Sequence, residues 1–71
     1  MVLEHRNGKI IGVEVKAKAT IKKSDLKGMI ELAKASQERF YRGFIFYGGD
    51  EILPISVDGF LFYCLPLGIL G

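Results

Sequence analysis

The chain has 71 residues, 49% of them apolar and 25% charged, with a formal net charge of +2. That length accommodates one small core and excludes a second, and it lies near the size at which a self-sufficient core becomes marginal. A single cysteine and a single histidine exclude an internal disulfide and a cysteine-based zinc site. The opening Met1-Val2-Leu3-Glu4-His5-Arg6 has no basic run followed by an apolar stretch, so it does not read as a signal peptide. The longest uncharged stretch, residues 59–71, is broken by Pro66 and too short to span a bilayer. The expectation is one cytoplasmic domain over residues 1–71 with no membrane partner.

In chain order, residues 2–5 and 9–19 read as extended segments around Arg6-Asn7-Gly8. Asn-Gly between such runs is a hairpin signal, because both residues tolerate positive φ. A three-residue loop with Gly8 in the left-handed position sets His5 opposite Lys9, Leu3 opposite Ile11 and Met1 opposite Val13. The second run alternates: Ile11, Val13, Val15, Ala17 and Ala19 share one side, while Ile10, Gly12, Glu14, Lys16 and Lys18 share the other. Period two predicts a strand with the first set on the core and the second set facing solvent.

Ser24 then reads as a helix N-cap, with Asp25 well placed against the helix dipole. Leu26, Met29, Ile30 and Ala33 recur at helical spacing and predict a buried stripe on a helix over residues 24–37. Gly28 weakens that helix and is expected to mark close packing on the sheet. Phe44-Ile45-Phe46-Tyr47 is a short apolar run suited to a strand buried on both faces. Gly48-Gly49-Asp50 turns the chain, and Pro54 demotes the strand over residues 51–55 to an edge. Val57-Asp58-Gly59 is a further turn before a last strand over residues 60–65. The order β-β-α-β-β-β predicts an α/β (α+β) domain with a mixed sheet, one amphipathic helix and a right-handed crossover.

The charge is unevenly spread. Up to Arg42 there are 10 basic residues against 5 acidic ones, and from Gly43 onward there are 3 acids and no Lys or Arg. The lysine-rich half, with Lys16, Lys18, Lys22, Lys23 and Lys27, suits contacts to nucleic-acid phosphates, and it equally suits a solvated face that keeps the chain soluble. The aromatics from Phe40 to Tyr63 have basic neighbours only at Arg39 and Arg42, which favours core or interface packing over base stacking. Cys64 sits in an apolar strand without a neighbouring base and reads as an inert thiol.

Glu14 and Lys16, two apart on a strand, point the same way. A carboxylate is a hard ligand for Mg²⁺, and a nearby lysine can orient a metal-bound water, a pairing suited to phosphodiester hydrolysis. The succession Gly8-Lys9-Ile10-Ile11-Gly12-Val13-Glu14-Val15-Lys16, Ser24-Asp25-Leu26-Lys27-Gly28 and Gly43-Phe44-Ile45-Phe46-Tyr47-Gly48-Gly49-Asp50-Glu51-Ile52-Leu53-Pro54, closed by Leu65-Pro66-Leu67, resembles part of a known domain. It is similar to the C-terminal part of the PD-(D/E)xK, restriction-endonuclease-like superfamily. More closely, it resembles the uncharacterised domain C-terminal to the ATPase module in many bacterial and archaeal AAA+-type ATPases.

The resemblance implies a truncated restriction-endonuclease-like core. Glu14 would be its second acidic metal ligand and Lys16 its catalytic lysine. The superfamily's first acid belongs to a segment just before Val2, and the hairpin register would set it opposite Glu14. The expectation is therefore an inactive remnant or fragment of a nuclease-like domain that needs no cofactor of its own and forms a homodimer. The alternatives are a nucleic-acid-binding module, or a Mg²⁺-dependent nuclease whose missing acid comes from a second chain.

Overall fold

A computed structural model describes residues 2–70, with side chains through Gly68. Five strands, β1 (Val2–Glu4), β2 (Ile10–Lys16), β3 (Phe40–Tyr47), β4 (Leu53–Val57) and β5 (Phe60–Pro66), form one mixed sheet in the order β1-β2-β3-β5-β4. The three inner strands are parallel, and the edge strands β1 and β4 run antiparallel to their neighbours. Helix α1 (Lys27–Ser36) carries the chain from β2 to β3 between a 3-10 turn at Lys23–Leu26 and another at Gln37–Arg39. The α+β architecture and the element order are those expected from the sequence.

The first hairpin closes as its residues require. The N–H of Gly8 donates to the carbonyl of His5, the N–H of His5 donates to the carbonyl of Lys9, and Gly8 takes φ +86°. That loop sets Leu3 opposite Ile11 and Val2 opposite Gly12. The expected partner of Val13, Met1, lies outside the described residues. The β4–β5 hairpin turns on Asp58 and Gly59, both at positive φ, a turn whose twist matches that of the strands. β3 starts four residues earlier than its apolar run suggested, because Phe40 already packs into the core. β2 ends at Lys16, so Ala17 to Ala19 belong to the following loop.

The face of β2 that meets the helix is the reverse of the expected one. α1 covers Ile10, Gly12, Glu14 and Lys16, and Gly12 is buried while Val15 on the other side is 60% exposed. Two glycines on adjacent strands explain the inversion. A Cβ at Gly12 would lie 2.4 Å from the Met29 sulfur, and one at Gly43 would lie 2.5 Å from Cδ1 of Phe62. The helix therefore descends where the sheet has no side chains. Under it lies a core of Leu26, Met29, Ala33, Phe40, Ile45, Tyr47, Phe62 and Cys64. Phe40 anchors its aromatic part, meeting Phe60 edge-on at 5.7 Å and Phe62 at 5.6 Å between ring centres.

Two local expectations also change. Ser24 lies inside the first 3-10 turn and caps nothing; Asp25 performs that task by accepting the Lys22 N–H at 2.8 Å. Gly28 is exposed with nothing near its missing Cβ, so it does not mark helix–sheet contact. Gly28→Ala is accordingly expected to stabilise the domain by about 0.5–1 kcal/mol, since only backbone entropy changes. Urea melts of the two proteins measure this directly, and an unchanged or lowered midpoint would contradict it.

Candidate functional site

Glu14 and Lys16 occupy the last turn of pleat of β2, on the side that α1 covers, where the parallel strands end. Their shared direction follows from the two-residue spacing, and they form an ion pair of 3.1 Å with both side chains about one-third exposed. Beside Glu14 an open groove of about 360 Å³ runs between Val2 and Val13 of the hairpin and Gly28, Met29 and Leu32 of the helix. The first helical turn overhangs Glu14 because Gly12, one pleat earlier, admits Met29 to the sheet.

A second ion pair continues the site into the loop. Both oxygens of Asp25 accept from the Lys18 ammonium at 2.8 Å. The Lys18 hydrogen bond, helped by the Lys22 N–H and by the charges of Lys18 and Lys16, holds the Asp25 carboxyl below its ordinary value. Spacing did not single out this pair, because Lys18 and Asp25 are joined across irregular backbone with no periodicity to read. What fixes Lys18 is the carbonyl of its own residue, which accepts the Gly48 N–H at 2.7 Å and ties the loop to the end of β3.

The sign of the resulting pH dependence is clear. Asp25 is ionised more readily in the folded chain than in the unfolded one, so its contribution is fully present above the ordinary aspartate range. It is lost as pH falls through the lowered folded value. A ¹³C carboxyl titration is expected to place Asp25 below a free aspartate, and Lys18→Met is expected to move it upward. A titration indifferent to that substitution would contradict the assignment.

The remaining lysines separate into two groups. Lys16 and Lys18 are paired with carboxylates. Lys22 and Lys23 are exposed at the rim of another groove, which Ile21, Leu26, Ile55, Ser56 and Val57 line, and Lys27 is exposed at the start of α1. Among the described residues none of these last three is in an ion pair.

The donor set does not fit a resident Mg²⁺. Such an ion takes oxygen ligands in octahedral geometry, usually with one or two carboxylates among them. Among the described residues no group of three His, Cys, Asp or Glu side chains could hold a metal ion. Glu14 and Asp25 each already carry a lysine. Glu4 shares the face of Glu14 but lies opposite Ile10, four positions away, where it pairs with Arg39. Arg39 also donates from Nε to the Gly8 carbonyl at 3.0 Å, so Glu4 serves to fasten the hairpin to the turn after α1. His5 lies on the opposite face, beside Asn7, Lys9, Ile11 and Tyr41. Cys64 is fully buried, and burial pushes its thiol pKa up, away from nucleophilic use.

Among the described residues no helix is long and apolar enough to cross a membrane. No curated protein and no solved structure matches the chain. One family profile matches residues 1–70, nearly the whole sequence, and its description is Domain of unknown function (DUF4143). The chain belongs to that family.

Proposed function

We propose that this chain is a nuclease-like module, of the kind associated with AAA+-type ATPases, that holds half of a phosphodiesterase site and does not cut by itself. The observation that carries the reading is the Glu14–Lys16 pair on β2, next to an antiparallel hairpin strand and followed by a helical crossover to a parallel strand. That setting is what the PD-(D/E)xK resemblance calls for, and among the described residues no second acid lies beside Glu14, which supports a half-site. The same reading includes self-association into a homodimer. It takes the protein as cytoplasmic and as having no cofactor of its own.

The test is a cleavage assay on single- and double-stranded DNA and RNA with Mg²⁺ or Mn²⁺. Wild type and Glu14→Gln are expected to match the protein-free blank. Metal-dependent cleavage that disappears in Glu14→Gln would overturn the reading and support a nuclease completed by a second chain.

Lys22, Lys23 and Lys27 support a second reading, a surface that binds nucleic-acid phosphates, because their charges are not spent on ion pairs. Affinity for a mixed-sequence oligonucleotide is then expected to fall steeply with salt, and Lys22→Glu with Lys23→Glu to weaken it by about tenfold at low salt. Affinity that ignores both changes would exclude phosphate binding at these lysines. Lys16 and Lys18 contribute less to that surface, since each would have to give up a carboxylate partner.

A further inference from the structure

The helix covers one face of the sheet and leaves the other bare, and an irregularity where the parallel strands begin changes what the bare face presents. Ile10 pairs with Phe40 and Ile11 with Arg42, so Tyr41 is an extra residue in β3. A bulge is rare between parallel strands, and bulges often re-aim a side chain beside a functional site. Here it turns Tyr41 and Arg42 to the same side: Arg42 points the way of its partner Ile11, and Tyr41 lines a cleft with Ile11. Tyr41 is 52% exposed, whereas every other aromatic residue of the chain is buried or half-buried. The Arg42 guanidinium lies 4.6 Å from its ring centre.

The cleft has a volume of about 350 Å³, and His5, Asn7, Lys9 and Ile11 of the first hairpin form its other walls. Hydrogen bonds within the hairpin leave these polar side chains as donors. His5 Nδ1 accepts the Asn7 N–H at 3.4 Å, so Nε2 carries the ring proton. Asn7 Oδ1 accepts the Lys9 N–H at 3.0 Å, which leaves the side-chain amide N–H groups to donate. Lys9 gives one ammonium proton to the Glu38 carbonyl at 3.3 Å and keeps the others. Among the described residues Arg6, Lys9 and Arg42 are in no ion pair. Glu4 of the same hairpin shares the helix-covered side with Glu14 and pairs with Arg39.

We propose that this cleft binds a nucleotide, with the base against the exposed Tyr41 ring and the phosphate among Lys9, Arg42 and the hairpin donors. Side chains that only donate suit a ligand group that only accepts, such as a phosphate. An open aromatic ring beside unpaired cations suits the flat base attached to it. The cleft lies on the opposite face of the sheet from Glu14 and Lys16 and at the other end of β2, so it is separate from the half-site proposed above. It is equally separate from Lys22 and Lys23, which border the groove lined by Leu26 and Ile55. A free mononucleotide and one nucleotide of a single strand share this chemistry.

The test is an NMR titration of the ¹⁵N-labelled chain with adenosine monophosphate, with a short single-stranded DNA of mixed sequence, and with inorganic phosphate. Saturable shifts centred on His5, Lys9, Ile11, Tyr41 and Arg42 are expected with a nucleotide probe, and weaker binding with phosphate alone. Saturation by the mononucleotide assigns a free nucleotide, and saturation by the DNA alone assigns a strand. Tyr41→Ala is expected to weaken binding by about tenfold. Tyr41→Phe is expected to leave it unchanged, because stacking needs the ring and not the hydroxyl.

Shifts absent from the cleft, shifts confined to Lys22, Lys23 and Lys27, or phosphate binding as tightly as either nucleotide probe overturns the proposal. So does an affinity indifferent to Tyr41→Ala. The wild-type shift map decides the matter by itself if that variant does not fold. Neither the cleavage assay nor Lys22→Glu with Lys23→Glu bears on this cleft, so its failure is distinguishable from failure of the readings above.

Discussion

Gly43→Ala is expected to destabilise the domain by about 2–3 kcal/mol, the upper part of the range for overpacking a close-packed core. The added Cβ would stand 2.5 Å from Cδ1 and 3.1 Å from Cε1 of Phe62, and 3.1 Å from Cγ of Met29. Phe62 cannot yield, because it is fully buried and braced by Phe40. Gly12→Ala makes the instructive comparison. Its Cβ meets the Met29 sulfur at 2.4 Å and Leu32 Cδ2 at 3.0 Å, both on unbranched or terminal parts of side chains that can swing aside. The expected cost there is nearer 1 kcal/mol. Urea unfolding of both variants checks the order. A Gly43→Ala protein as stable as wild type would mean that α1 and β5 are not held in the spacing described.

Phe62→Ala is expected to cost about 3–5 kcal/mol through lost burial and the cavity left behind. A domain of this length has roughly 4–10 kcal/mol in total, so the variant should be largely unfolded or close to it. Phe62 is decisive because it sits where β5, β3 and α1 converge: Gly43 is its cross-strand neighbour, and Phe40 packs on its ring. Phe46→Ala removes the same side chain from the bare face of β3, where burial is partial, and should cost the monomer distinctly less. Far-UV circular dichroism and thermal melts separate the two. Equal losses at a concentration too low for association would mean that both faces of the sheet are equally covered.

These two results bear on the candidate site as well as on stability. Gly43 and Gly12 set the height of α1 above β2, and that height determines the groove beside Glu14. A variant that lifts the helix is expected to loosen the Glu14–Lys16 pair, and a shift of the Lys16 resonances would report it.

Much of this was legible in the residues. Arg6-Asn7-Gly8 specified its hairpin and, through the loop length, the register of Leu3 on Ile11, because only a left-handed residue at Gly8 closes that bulge. The stripe Leu26, Met29 and Ala33 specified the buried side of the helix, since side chains three and four apart share one face. Glu14 and Lys16 had to point together because the strand repeats every two residues. Pro54 placed its strand at an edge by removing a donor.

Other features depended on contacts between distant segments. Period two separates the two faces of β2 but does not say which one meets a helix, and the apolar Ile11, Val13 and Val15 set looked the better candidate. Gly12 and Gly43 decided it, by leaving a trough on the opposite face deep enough for Met29, and that is visible only once β2 and β3 lie side by side. The Lys18–Asp25 pair likewise needed the loop to be tied down by Gly48 before its ends could meet. The sequence by itself therefore determined the elements, their order and the local pairing of side chains. Tertiary structure decided which face was covered and which charges were neutralised, because helix placement depends on the depth of a surface built from two strands 30 residues apart, roughly the span of one strand–helix–strand unit.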